Sequence, residues 1–345
     1  MNKIHTLQLN INWDLISKIS EIDRFDASWT SIEKREGQTL KQLKSIATVR
    51  SVGASTRIEG SGMNDEQVDI LLDNLAISKL EDRDSQEVVG YYEVLDLILG
   101  SSKNIGVSEN SLKSLHNSLL QYSQKDQWHR GNYKQHSNSV EADFGNGNKQ
   151  VIFKTTPPGL ETDDAMGLLI KWYKEDEEAH PLVKCAAFSY EFVSIHPFQD
   201  GNGRLSRLIP TLLLLKNGYQ WIQYVSFEHE IESRKNEYYQ QLRKCQSQRP
   251  NEDVTSWVHF FLDCLIKIQQ SLLLKLDKKG EASKLSPRDK SILLLVTDNA
   301  GIKSGQVSKK LNIPIPTVKK TLALLCKQNL IEKHGNGPGT NYIIK

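Results

Sequence analysis

The chain has 345 residues, 38% apolar and 25% charged, enough to bury one large core and a small second domain. No run approaches the ~18 apolar residues of a membrane span, Met1 to His5 open no secretion signal, and Cys185, Cys245, Cys264 and Cys326 read as scattered, reduced thiols rather than disulfides or a zinc site; a cytoplasmic location without membrane attachment is expected. The net charge of +2 conceals a split, because residues 285–345 hold ten Lys/Arg against three Asp/Glu while the remainder is net acidic, so the tail is expected to have its own partner.

In chain order the pattern is mostly helical. A segment around Trp13 to Ile22 is followed by a helix-like stretch from about Thr39 toward Ile58. Asn64 to Gln67 resembles a capping box opening a helix with Val68, Leu71, Leu72 and Leu75 on one face. The next helix starts near Gln86, with Val89, Tyr92, Leu95 and Leu99 at helical spacing, and Ser108 caps another carrying Leu112, Leu115 and Leu119. His116 lies on that stripe and reads as a packed histidine. From Arg130 to Pro158 the chain is polar and rich in Gly, Asn and Thr, with a strand-like run at Val151 to Phe153, the pattern of a β-hairpin. Helices resume at Asp163, and Leu182 to Ile195 forms an apolar one.

The segment His196-Pro-Phe-Gln-Asp-Gly-Asn-Gly-Arg-Leu-Ser-Arg207 concentrates the chemistry. Pro197 disfavours helical geometry at His196. Gly201-Asn202-Gly203 allows a tight turn that points successive N–H groups at one spot, and a helix beginning near Arg204 turns its positive end toward the same spot. The result is an anion site with a titratable imidazole beside it. Pro210 should interrupt and bend that helix, which Asn217-Gly218 ends.

These residues match, at every fixed position, the pattern His-x-Phe-x-(Asp/Glu)-Gly-Asn-Gly-Arg-x-x-Arg, and the chain resembles the Fic family. The resemblance implies transfer of AMP from ATP to a Ser, Thr or Tyr hydroxyl of a target protein. His196 would be the general base, and Asp200 would hold Mg²⁺ against the phosphates. Gly201, Asn202 and Gly203 would cradle those phosphates, with Arg204 and Arg207 neutralising their charge. Glycine at 203, where related kinases carry lysine, favours nucleotidyl transfer. The hairpin at about 130–158 would be the flap that pairs with the target's backbone. Within Arg234 to Leu242, Tyr239 is the first choice for an adenine-facing tyrosine and Tyr238 the second; Gln246 stands where family members often have asparagine.

Upstream, Ser55-Thr56-Arg57-Ile58-Glu59-Gly60 resembles the Fic inhibitory pattern (Ser/Thr)-x-x-x-Glu-(Gly/Asn). It implies that Glu59, on a helix of about 45–60 that also bears Ser55 and ends at Gly60, pairs with Arg207 and displaces the γ-phosphate. Two other readings stay open: removal of AMP from a modified target at the same site, with Glu59 orienting water, and a nucleotide-sensing DNA-binding regulator. Self-modification and a homodimer are both compatible with the resemblance.

Trp257 to Leu262 reads as a core helix, and Asp277 to Lys284, with Gly280, as a linker. Helices are expected from Pro287 to Thr297 and from Ser304 to Leu311. A third follows the Asn312 to Pro316 turn and ends near Asn329, before strands at Ile331 to His334 and Asn341 to Ile344. That order resembles a winged helix-turn-helix, with Thr317, Lys319 and Lys320 leading the recognition helix and His334 and Asn336 in the wing. Its charge suits DNA phosphates, although such modules also bind proteins. The expected fold is therefore mainly α: a Fic-type helical bundle with a β-hairpin flap, plus a small C-terminal winged helix-turn-helix. The expected parts are 1–100 (N-terminal helices), 101–276 (catalytic core), 277–284 (linker) and 285–345 (winged module).

Overall fold

A computed structural model describes residues 2–75, 80, 82–143, 149–281, 285–328 and 330–344. It opens with a hairpin, β1 (Asn2–Ile4) and β2 (Leu7–Leu9), which the sequence pattern does not announce. Leu7 and Leu9 face inward at strand spacing, and Gln8 exchanges backbone bonds with Glu252 and Val254.

The two N-terminal helical segments are one helix, α1 (Trp13–Ile58). Residues 23–38 contain no proline, and Gly37 alone costs about 1 kcal/mol, too little to end a helix that continues on both sides of it. Asn12 caps its start through Leu15 N–H, and Gly60, at φ +109°, turns the chain away after its end.

Next come α2 (Asp65–Asp73), with the expected capping box at Asn64, α3 (Arg83–Ser101), starting three residues before Gln86 because Asp82 caps it, and α4 (Glu109–Leu119), capped by Ser108. Strands β3 (Ser139–Asp143) and β4 (Lys149–Lys154) form an antiparallel hairpin with a bulge at Val140/Glu141, and its tip, 144–148, lies outside the described residues. Helix α5 (Leu160–Glu175) begins three residues before Asp163.

Helices α6 (Pro181–Ile195) and α7 (Asn202–Lys216) form the centre of the core. All of α6 except Pro181 and Lys184 is buried, as expected for a helix apolar on every side. Gly201 adopts a left-handed conformation (φ +78°), so α7 starts at Asn202, two residues before Arg204. Pro210 does not interrupt α7, which runs on to Lys216. There follow α8 (Phe227–Ser233), α9 (Lys235–Gln246) and α10 (Thr255–Glu281). Helix α10 passes through Gly280, so residues 277–281 of the expected linker are helical, and 282–284 lie outside the described residues.

The tail forms α11 (Pro287–Asp298), α12 (Ser304–Leu311), α13 (Ile315–Lys327) and the antiparallel pair β5 (Ile331–His334) and β6 (Asn341–Ile344). The expected end of the third helix at 329 lies outside the described residues. Val296, Val307, Val318, Leu322, Leu325 and Ile331 fill its core, where Thr321 donates to Asp289 Oδ1 at 2.6 Å. Lys319 and Lys320 are exposed on α13.

Residues 1–30 and 44–269 form one compact unit, and residues 31–43 with 270–345 form a second. No helix among the described residues is long and apolar enough to cross a membrane.

Candidate active site

The first unit brings the ends of α1, α4 and α6, the start of α7, one face of α9 and the β3–β4 hairpin to one place. The turn between α6 and α7 is held by its own bonds. Asn202 Oδ1 accepts from Phe198 N–H (2.8 Å) while its Nδ2 donates to Phe198 C=O (2.7 Å), and Asp200 Oδ1 accepts from Gly201 N–H (2.5 Å). The side chain of Asn202 is thus used to shape the turn, and its contribution to an anion seat is through its backbone. The N–H groups of Asn202, Gly203 and Arg204, in the first turn of α7, have no carbonyl one turn behind them.

His196 closes α6 in the left-handed region (φ 54°, ψ 60°). Its Nδ1 lies 3.3 Å from the Val193 carbonyl and donates to it, which leaves the lone pair on Nε2. Burial, reinforced by the positive charge of Lys134, pushes its pKa down to about 4. The imidazole is therefore neutral and ready to accept a proton at neutral pH.

The two arginines differ. Arg204, 2% exposed, meets Glu87 at 3.5 Å and Asp200 at 3.4 Å, and its Nη1 is buried without a hydrogen bond. That Nη1 already faces the Glu87 carboxylate, beyond hydrogen-bonding geometry, so Arg204 brings a partly neutralised positive charge near the unpaired backbone N–H groups at the start of α7. Arg207, also 2% exposed, is engaged instead through two of its three nitrogens: Nε donates to Ser55 Oγ (2.9 Å), and Nη2 donates to Ser55 C=O (3.0 Å) and Glu59 Oε1 (2.7 Å). Burial would raise the Glu59 pKa, but Arg207 and then Arg204 outweigh it and hold the carboxyl below the usual range. The Glu59 carboxylate fills space left by Gly203, where a Cβ would lie 2.3 Å from Oε1. Burial likewise opposes ionisation of Asp200, and Arg204 and the Gly201 N–H overcome it.

The end of α1 that carries Glu59 is anchored. Arg57 pairs with both oxygens of Glu232 on α8 (2.7 and 2.9 Å), with Asp65 (2.9 Å) and with the Met63 carbonyl (3.1 Å).

Three supporting side chains are not identifiable from the sequence. Lys134, 2% exposed, donates through Nζ to Asn138 (3.0 Å), Thr155 (2.9 Å) and the Ile195 carbonyl (3.0 Å), tying the base of the hairpin to the end of α6. Burial lowers its pKa to about 8. Asn138 adds a bond to the Phe198 carbonyl (2.8 Å). A lysine or asparagine in a polar loop carries no signal that separates it from solvated neighbours. Arg57, the third, occupies a variable position of its motif.

A cavity of about 360 Å³ lies between Ile152 of β4 and Asn236, Tyr239, Gln240, Arg243, Lys244 and Ser247 of α9. Tyr239 lines it, whereas Tyr238 packs on Trp257 and Phe260. Gln246 is not among the lining residues; it is buried with its Nε2 unpartnered.

Residues 106–214 match the family model described as Fic/DOC family, and residues 285–332 match that described as winged helix-turn-helix DNA-binding. The chain is similar to the protein adenylyltransferase Fic of Drosophila yakuba, at 25% identity over 72% of this chain and 46% of that protein. It is similar also to the protein of that name from Culex quinquefasciatus, at 26% identity over 65% and 41%. It thus spans less than half the length of these relatives. Among solved structures, a Fic family protein from Desulfovibrio desulfuricans G20 aligns with a TM-score of 0.64 at 23% identity, covering 97% of each chain. Fic-1 from C. elegans aligns with a TM-score of 0.55 at 20% identity, covering 77% of this chain and 72% of that one.

Proposed function

We propose that this chain, which carries a Fic/DOC domain followed by a winged helix-turn-helix, is a protein adenylyltransferase held inactive by its own Glu59. The observation that carries the reading is the conjunction, around one self-braced turn, of a neutral imidazole with a free Nε2, unpaired backbone N–H groups and a guanidinium with an unsatisfied donor.

The chemistry follows from that arrangement. The target's hydroxyl oxygen attacks the α-phosphorus of ATP and gives its proton to His196 Nε2. The bond from that phosphorus to the oxygen bridging α and β breaks, and pyrophosphate leaves. The N–H groups of Asn202, Gly203 and Arg204, with the Arg204 guanidinium, face the charge that develops on the phosphates. Tyr239 of α9 and Ile152 of β4 both line the cavity, which supports a base packing against them, and β4, as one strand of a two-stranded hairpin, supports addition of a target backbone along its edge.

Mg²⁺ fits this site as a passenger on ATP. Among the described residues no three His, Cys, Asp or Glu side chains cluster as a cage, and the partners of Asp200 engage Oδ1. One carboxylate completed by phosphate oxygens and water is the usual mode for this ion. When bound, it would neutralise phosphate charge, and Asp200 would hold it.

Arg207 is the second phosphate ligand, and Ser55 and Glu59 occupy it. The test is labelling with α-³²P-ATP and Mg²⁺. Glu59→Gly is expected to raise AMP transfer to protein, and His196→Ala to abolish it. Equal labelling by wild type and Glu59→Gly would refute the inhibitory role, and labelling that survives His196→Ala would refute the base.

The ionised Glu59 carboxylate beside the phosphate seat also suits a second reading, removal of AMP with Glu59 orienting water. In that case Glu59→Gly loses release of AMP from a modified target. The exposed Lys319 and Lys320 on α13 support DNA as the partner of the tail.

A further inference from the structure

We propose that His116 is a positioning residue: its one imidazole ties the loop bearing Asp200 to Gly131, in the segment that leads into β3, so that a single side chain orients the phosphate seat and fixes the chain entering the hairpin.

His116 stands on the last turn of α4 with no exposed surface. The Gly131 N–H donates to its Nδ1 at 2.9 Å, so that nitrogen bears no proton; Nε2 therefore carries it and donates to the Asp200 carbonyl at 2.9 Å. Both ring nitrogens are thus engaged, each with a different functional segment. The ring face stacks on Phe198, with centroids 3.8 Å apart and planes 5° from parallel. Phe198 is the residue whose N–H and carbonyl Asn202 grips.

The bond to Asp200 acts at one remove on its carboxylate. The Asp200 carbonyl and the Gly201 N–H belong to the same planar peptide unit. Fixing the carbonyl fixes the plane, and the N–H on its other edge holds Asp200 Oδ1 at 2.5 Å. The imidazole therefore aims the carboxylate through a rigid peptide.

Two glycines, from separate segments, make room for this one helix turn. A Cβ on Gly201 (φ +78°) would sit 3.2 Å from His116 Nε2, and one on Gly131 (φ +76°) would sit 3.1 Å from the Cβ of Asn117, the next residue on α4. A residue needed only for volume could be leucine or phenylalanine and would use neither nitrogen. Here the polar edges of the ring, rather than its bulk, reach the two segments.

The inference rests on the reading above that Asp200 meets the cation carried by ATP, and its test separates the two. In the full-length chain bearing Glu59→Gly, calorimetry would measure ATP affinity with Mg²⁺ and with EDTA, and hydrogen exchange would report the Gly131 amide. His116→Asn places an oxygen near the Nδ1 position, keeping the acceptor for Gly131 and dropping the donor to Asp200. His116→Gln places an N–H near the Nε2 position and does the reverse. The Asn variant is expected to lose on the order of ten-fold of the Mg²⁺-dependent gain in ATP affinity while Gly131 stays protected. In the Gln variant the gain should stay within about two-fold of the parent, while Gly131 exchanges on the order of ten-fold faster. His116→Phe, which keeps only the stacking, should show both losses. If Asn and Gln behave alike on both readouts and merely follow the melting temperature, the positioning role is wrong. If Asp200→Ala retains the Mg²⁺ gain, the fault lies in the assignment of Asp200 itself.

Discussion

If Glu59 inhibits AMP transfer as proposed, replacing Gly203 with alanine should raise that transfer while Glu59 itself stays in the sequence. The new methyl would lie 2.3 Å from Glu59 Oε1 and 3.1 Å from its Cδ, whereas ordinary contact begins at 3.4 Å. Gly203 has a helical backbone in the first turn of α7, so alanine fits there and gains up to ~1 kcal/mol over glycine. The atom it strikes is the tip of a flexible side chain, which yields more readily than the helix. The carboxylate must then retreat by about 1 Å, which carries its 2.7 Å bond to Arg207 past hydrogen-bonding reach. A hydrogen bond between charged groups contributes about 1.5–3 kcal/mol, so the occupied state should lose roughly ten- to hundred-fold in population. Initial rates of α-³²P-AMP transfer would be compared for wild type, Gly203→Ala, Glu59→Gly and the double variant. Gly203→Ala is expected to exceed wild type by on the order of ten-fold. It should add nothing in the Glu59→Gly background, where there is no carboxylate to eject. The reasoning fails if Gly203→Ala matches wild type while the double variant keeps the full rate of Glu59→Gly, because the methyl would then be harmless to the cradle and yet displace nothing.

Four further expectations follow, three from the site and one from the tail. Burial holds His196 at about 4 even with the Glu59 charge raising it, so in Glu59→Gly, which removes that charge, the acid limb of kcat/KM should lie no higher than about 4 and the profile stay flat across pH 6–7. Lys134→Met removes a positive charge facing His196 and should move that limb to higher pH; a profile unchanged by the substitution would contradict the charge effect. Arg57→Ala removes the bidentate anchor of the α1 end and should raise basal transfer several-fold, though less than Glu59→Gly does, with no effect once Glu59 is gone. If the tail binds DNA, Lys319→Glu with Lys320→Glu should reduce the slope of log affinity against log salt by about two, measured by fluorescence anisotropy.

The turn of the candidate site is legible in the sequence because its residues are local: twelve consecutive positions supply the proposed base, the carboxylate, the glycine turn and both arginines. The elements of the tail are legible for a similar reason, since Ser304, Leu311 and the strand ends are marked by caps and turn residues a few positions away. What stays hidden depends on partners distant in sequence. Lys134 acquires its role from Ile195, sixty-one positions on, and His116 from Asp200, eighty-four positions on. Periodicity marks His116 as buried but cannot tell which groups its nitrogens meet. The unbroken α1 is obscured for the opposite reason, because the apolar stripe through Ile22, Phe25, Trp29 and Ile32 lapses over 33–39, a polar stretch that nonetheless contains nothing that stops a helix.

The turn from Phe198 to Ser206 is braced by bonds among its own members, Asn202 to Phe198, Asp200 to Gly201 and Ser206 to Gly203, so the chain supplies bonds that hold its shape by itself. A loop that orders on binding can be governed by whether it is allowed to order. A seat already finished can be governed only by tenancy. If Glu59 inhibits as proposed, a free carboxylate or phosphate reaching Arg207 must displace a tethered group, and only anions near its effective concentration would shift the balance.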